Sequence, residues 1–154
     1  MKRKLKFRAW DGQQIHRVEQ WSSNSWIAVP LQVSQNDWEL IQISTTDVEL
    51  MQFTGLTDKN GVEIYEGDVV KGVVKYPQLC TWDNDDNCNF PMGGEVYYDH
   101  VGFSLKAIQS MCDPERDGMV YYFSFGGDCG ETFDEMEVIG NIYENLDLIS
   151  PPSL

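Results

Sequence analysis

Thr54-Gly55-Leu56-Thr57-Asp58-Lys59-Asn60-Gly61-Val62-Glu63-Ile64-Tyr65-Glu66-Gly67-Asp68-Val69-Val70 sets two tight turns between runs of β-forming residues. Asn60-Gly61 tolerates the positive φ of a two-residue type I′ turn, which predicts a hairpin there. Ile64-Tyr65-Glu66-Gly67-Asp68 predicts a second turn, with Gly67 where a β-branched side chain would strain. Downstream, Val69 to Tyr76 reads as a long strand, and Gly72 inside it suggests a bulge or corner. Upstream, Val48 to Thr54 is apolar on both faces, the pattern of a more buried strand.

The same period of two extends outward. Leu5, Phe7 and Ala9 alternate with Lys4, Lys6 and Arg8, so the first strand is expected to turn a basic face to solvent. A turn at Trp10-Asp11-Gly12 precedes a strand from Ile15 to Trp21. Pro30 limits residues 26–33 to an edge or an irregular stretch. Trp38, Leu40 and Ile43 mark another strand. Residues 77–94, rich in Asp and Asn, read as a surface insertion. Glu95–Tyr98 and Gly102–Leu105 form a hairpin, 112–118 a loop, 119–125 an aromatic strand and 137–143 a last strand. Asn145 is placed to cap a short helical turn ended by Pro151-Pro152. Short strands with frequent turns and no three-turn amphipathic helix predict an all-β fold, a small barrel or sandwich.

The 154 residues suit one domain, over 1–150, with 77–134 a variable elaboration and 151–154 a tail. The net charge of −14 is uneven. Residues 1–79 hold 9 basic and 10 acidic side chains, while 80–154 hold 2 basic and 15 acidic. Such a balance excludes generic binding of nucleic acid or anionic membrane over the whole surface. No stretch approaches the roughly 18 apolar residues of a membrane span. Met1–Arg8 is basic but leads into no apolar signal core, so a cytoplasmic protein is expected. Cys80, Cys88, Cys112 and Cys129 are spaced neither as a zinc site nor, without a secretory signal, as a disulfide framework. They read as reduced thiols, with no metal and no cofactor implied.

Lys6-Phe7-Arg8-Ala9-Trp10-Asp11, the run from Leu50 to Val70, and Val138-Ile139-Gly140-Asn141-Ile142-Tyr143-Glu144-Asn145 occur in an order that resembles the YopX family of phage and prophage proteins. The resemblance spans residues 6–145. It implies an SH3-like β-barrel or roll encoded by mobile elements of bacteria, to which the residues themselves add extra β-hairpins and an acidic loop insertion, and it supplies no catalytic residue. The signature positions Trp10, Gly55, Asp58, Gly61, Ile64, Tyr65, Gly67, Asp68, Gly140, Asn141 and Tyr143 have a physical reading as fold determinants. The glycines sit where turns or a close strand approach need no Cβ, Ile64, Val69, Val138 and Ile142 alternate as interior side chains, and Tyr65 covers the core with its hydroxyl at the edge.

Chemistry is therefore sought on the loops. Asp83, Asp85, Asn87 and Asn89 fall at calcium-loop positions, but Cys88 stands where the loop wants glycine and Gly94 where it wants a glutamate. A solvated acidic loop is the simpler reading. Glu63, Glu66 and Asp68 could pair as acid and base if one were forced to hold its proton, yet Asp68 is better placed to accept turn N–H groups. The cysteines have few histidine partners, His16 and His100, and phosphate-binding and serine-elbow motifs are absent, so no enzyme activity is expected. Trp10, Trp21, Trp26, Trp38 and Trp82 are mostly expected in the core, although aromatics beside Lys and Arg also stack bases. The expectation is a binding protein acting through an acidic face (Trp82, Asp83, Asp85, Asp86, Asp113, Glu115 and Asp117) on a protein partner of the host. Nucleic-acid binding through Lys2, Lys4, Lys6 and Arg8, and self-assembly into a homo-oligomer, are the alternatives.

Overall fold

In the computed structural model, residues 5–22, 25–32, 35–75, 89–98, 103–108, 122–124 and 136–149 are described. Twelve strands and one short helix follow in order among them: β1 (Phe7–Trp10), β2 (Ile15–Arg17), β3 (Gln20–Ser22), β4 (Trp26–Gln32), β5 (Trp38–Ser44), β6 (Glu49–Thr57), β7 (Glu63–Tyr65), β8 (Asp68–Lys75), β9 (Asn89–Tyr98), β10 (Phe103–Ala107), β11 (Tyr122–Ser124), β12 (Glu137–Asn141) and α1 (Leu146–Ile149). The fold is all-β, as the period of two predicts. The chain divides into two compact units, residues 1–55 and 56–154.

In the first unit, β1 pairs antiparallel with β2 on one side and β6 on the other, Ala9 facing both His16 and Leu50. A three-stranded sheet of order β3-β4-β5 accompanies it. Ala9, Ile27 and Val29 are fully buried, and Val18, Ile41, Ile43, Val48 and Leu50 pack around them. Alternation explains this core, because Ile27 and Val29 lie opposite Ile43 and Ile41 on one face of β4–β5. Two details of the first strand differ from the sequence reading. Leu5 is exposed, and the face carrying Lys6 and Arg8 is not open. Arg8 lies opposite Met51, which is buried, and donates to its sulfur, while Lys6 sits over the Phe53 ring.

Residues 26–33 also differ from expectation. β4 is a regular strand paired with β5 along its whole length, and Pro30 faces Leu40. The reason lies in direction. Glu19 N–H donates to the Ala28 carbonyl, so every second residue of β4, including 28 and 30, aims its backbone groups toward β3. Among the described residues β3 pairs with Trp26–Ala28 alone, so Pro30 lacks its N–H on a side beyond that pairing.

In the second unit a five-stranded sheet runs β11-β10-β9-β8-β12. The chain enters it along β6, whose end turns back into β7. Val69, Val70, Val96, Phe103, Leu105 and Met136 are buried. β9 begins at Asn89, so the last part of the expected surface insertion, including Pro91-Met92-Gly93-Gly94, is a paired strand against β8. Pro91 repeats the logic of Pro30. Ile108 N–H bonds the Gly93 carbonyl, which places 91 and 93 on the β10 side, and Pro91 lies beyond the end of β10. Tyr98 and Phe103 close the β9–β10 hairpin with rings edge to face, centroids 5.2 Å apart.

Candidate functional site

The central signature forms a knot of backbone hydrogen bonds gathered by a few buried polar side chains. At the first turn Gly61 N–H bonds the Asp58 carbonyl and Asp58 N–H the Val62 carbonyl. Gly61 has φ +82°, while Asn60 does not cross into positive φ. The hairpin is therefore a type I turn closed by a left-handed glycine, not the type I′ turn that Asn-Gly suggests. What decides it is Asp58. One carboxylate oxygen accepts the N–H groups of Asn60 and Val62, both at 2.8 Å, and the other reaches Val138 N–H at 3.1 Å on β12. Lys59 continues the join, its N–H to the Met136 carbonyl and its ammonium paired with Glu137.

Burial alone would raise the pKa of Asp58, but the N–H groups of Val62, Val138 and Asn60 outweigh it and hold the carboxyl below its usual value. The second turn uses the same device. Asp68, 1% exposed, accepts Tyr65 N–H at 2.7 Å, while Gly67, at φ +78°, donates to the Val96 carbonyl and accepts from Ile142 N–H. Ile64 is buried, and the buried Tyr65 ring sends its hydroxyl to Glu63 at 2.8 Å.

The closing motif is a third such node. The Asn141 side chain accepts the N–H groups of Tyr143 and Glu144 and donates to the Glu144 carboxylate. Asn145 turns its side chain back to Asn141 N–H at 3.1 Å rather than forward over α1, which corrects its expected role as a side-chain cap. A Cβ on Gly140 would stand 2.5 Å from Asn145 Oδ1, so that contact requires glycine. Gly55 is exposed in β6, and Trp10 and Tyr143 are half-buried.

The first block has its own node. Asp11 Oδ1 accepts Gln13 and Gln14 N–H, each at 2.8 Å, and Oδ2 accepts His16 Nε2–H at 2.7 Å. The backbone N–H of Gln14, then His16, lower the Asp11 pKa from 3.8 to about 2. His16 is buried and committed to this contact. Sequence reading missed the pair, although Asp-x-x-x-x-His across a two-strand turn is the pattern that could have found it.

Asp58 thus spends both oxygens on backbone groups and Asp68 spends Oδ2 on one, an arrangement that holds turns and strands together. Trp82, Asp83, Asp85, Asp86, Asp113, Glu115 and Asp117 lie outside the described residues, as do the four cysteines, His100 and residues 83–88 of the calcium-like loop, whose last member, Asn89, opens β9. Among the described residues no three His, Cys, Asp or Glu side chains converge as a metal ion would need. No helix among them is long and apolar enough to cross a membrane.

The tryptophans overturn their expected place in the core. Trp21, Trp26 and Trp38 are 52%, 44% and 62% exposed, and Leu40 is 52% exposed. Trp26, Ala28, Pro30 and Gln32 on β4, with Trp38, Leu40, Gln42 and Ser44 on β5, share the outer face of the three-stranded sheet by register, and none of them is charged. Their alternation with Ile27, Val29, Ile41 and Ile43 was the signal available in the sequence. A depression of about 60 Å³ lies on this face beside Trp26, Ala28 and Gln42.

The family model described as YopX protein matches residues 6–150. Among solved structures the chain is similar to protein EF1440 from Enterococcus faecalis, at 26% identity over 97% of this chain and 100% of that one, with a TM-score of 0.48. No curated protein matches it.

Proposed function

The chain belongs to the YopX family, and on that premise we propose that it is a phage- or prophage-encoded, cytoplasmic, non-catalytic protein that binds a basic host protein through its acidic unit. One observation carries the reading. The first unit holds six basic and six acidic side chains, whereas the second holds 5 basic against 19 acidic, so the whole −14 belongs to residues 56–154. A field of one sign on one unit attracts cationic surfaces, such as those of DNA-binding proteins, and repels nucleic acid itself. The Asp58 carboxylate, with both oxygens held by backbone N–H groups, supports a non-catalytic role. Nucleic-acid binding through Lys2, Lys4, Lys6 and Arg8 has less support, because Lys6 and Arg8 are engaged with Phe53 and Met51.

The test compares the full chain with a variant carrying Asp83→Asn, Asp85→Asn, Asp86→Asn, Asp113→Asn, Glu115→Gln and Asp117→Asn, each immobilised in bacterial lysate at low salt. The wild-type chain is expected to retain basic proteins that elute between about 0.1 and 0.5 M salt, where screening lengths shrink below contact range, and the variant is not. Equal retention by both, or retention by neither, removes the acidic-face reading.

A further inference from the structure

From the free edge of β5 we infer that the chain self-associates into a two-fold dimer, β5 of one copy adding antiparallel to β5 of a second. β5 is the terminal strand of its sheet, paired with β4 alone among the described residues. It is seven residues long, longer than edges are usually left, and it has neither a proline nor a lysine to blunt it. Thr45 N–H bonds the Ser25 carbonyl, so residues 39, 41 and 43 aim their backbone groups at β4. Residues 38, 40 and 42 aim their N–H and carbonyl groups outward, and Ser44 adds its N–H to that row while its carbonyl accepts Asp47 N–H. The side chains of Trp38, Leu40 and Gln42 along that row are exposed.

The occupant is a second copy because the strand is complementary to itself. A two-fold axis at Ile41 pairs Trp38 with the copy's Ser44 and Leu40 with its Gln42 along the hydrogen-bonded rungs, and brings the two Ile41 residues opposite each other. The strand's one charged residue, Glu39, then faces Ile43, so no like charges meet in the register that uses the full strand. Electrostatics favours the same partner. The first unit has no net charge and does not repel its own copy, whereas a contact through the second unit would oppose two surfaces of −14. A basic protein, drawn to the second unit, gains nothing from this neutral edge. The dimer is independent of the acidic-unit reading, and each can fail without the other.

Sedimentation equilibrium of the full chain from roughly 1 to 200 μM tests it, a range suited to the weak association expected of a small contact. The expected result is a rise from monomer to dimer mass, little changed by salt. Leu40→Pro removes an outward N–H without touching the β4 ladder, and is expected to leave a monomer with an unchanged circular dichroism spectrum. Because that variant could also lose its fold, a charge pair provides the second arm. Leu40→Lys with Gln42→Lys sets lysine against lysine across the axis and is expected to weaken dimerisation at least tenfold. Leu40→Lys with Gln42→Glu sets lysine against glutamate and is expected to restore it. A wild-type chain that stays monomeric at 200 μM overturns the inference, as does a dimer equally tight in the two charge variants.

Discussion

The two units are held together by different means. Residues 1–55 surround an apolar centre of Ala9, Ile27 and Val29, with aliphatic neighbours from four further positions of their strands and loops as well as Val18. Residues 56–154 have a buried apolar set too, but their turns are tied by polar side chains: Asp58 and Asn141 each gather two or more backbone N–H groups, and Asp68 accepts that of Tyr65. The charge follows the same division, balanced in the first unit and −14 in the second. A stretch of chain carrying that much repulsion gains from carboxylates fixed by backbone dipoles, since those N–H groups stabilise the charge where it sits. The family signature is concentrated where this tying occurs, which is why its residues read as fold determinants.

Breaking the apolar centre is the largest test of the contrast. Ile27→Ala removes a side chain that is 1% exposed and is expected to cost about 3 kcal/mol, read by urea unfolding, with little dependence on salt. Hydrogen exchange should show the loss of protection in residues 5–55 first. If residues 56–75 and 136–149 lost protection equally, the two units would be one cooperative structure and the contrast would be one of composition only.

Asp58→Ala is the matching cut in the second unit and is expected to cost about 2 kcal/mol, because three N–H groups lose their acceptor. Asp58→Asn sharpens the reading. Its single amide oxygen can still serve Asn60 and Val62, but an NH2 group would then confront Val138 N–H. The asparagine variant should therefore keep the hairpin tip protected in hydrogen exchange and expose the amide of Val138. Retained protection at Val138 would show that the tie to β12 lies elsewhere.

How much of this could be read from the sequence depends on how local the cause is. The strands came from side-chain alternation, and the turns at Asp58–Gly61 and Tyr65–Asp68 from glycine and carboxylate placement. The turn type at Asn60-Gly61 did not, because Asp58 captures two amides and favours the longer loop. The Asp58–Val138 bond joins positions 80 apart and leaves no local trace. Pro30 and Pro91 misled because residue type does not say on which side of a strand the neighbouring strand has ended. Trp26 and Trp38 misled for a related reason: hydrophobicity marks a ring for burial, while parity along β4 and β5 assigns it to the outer face.

The smallest effect expected is electrostatic, and it lies in the neutral unit. Asp11 has its pKa lowered from 3.8 to about 2 by Gln14 N–H and His16. A carboxyl depressed on folding stabilises the protein fully above the unfolded value, and that contribution disappears as pH falls from about 4 through 2. The chain should therefore lose stability across this interval more steeply than Asp11→Asn, which has no proton to take up there. Asp58, also depressed, is common to both proteins and cancels in the difference. Amide exchange at Gln13 and Gln14 gives the local readout, since these N–H groups bond the carboxylate itself. Parallel pH curves for wild type and variant would mean that the Asp11–His16 pair sets the geometry of the β1–β2 turn without stabilising it. The first unit would then rest on its apolar centre alone, making the contrast with the polar ties of residues 56–154 sharper still.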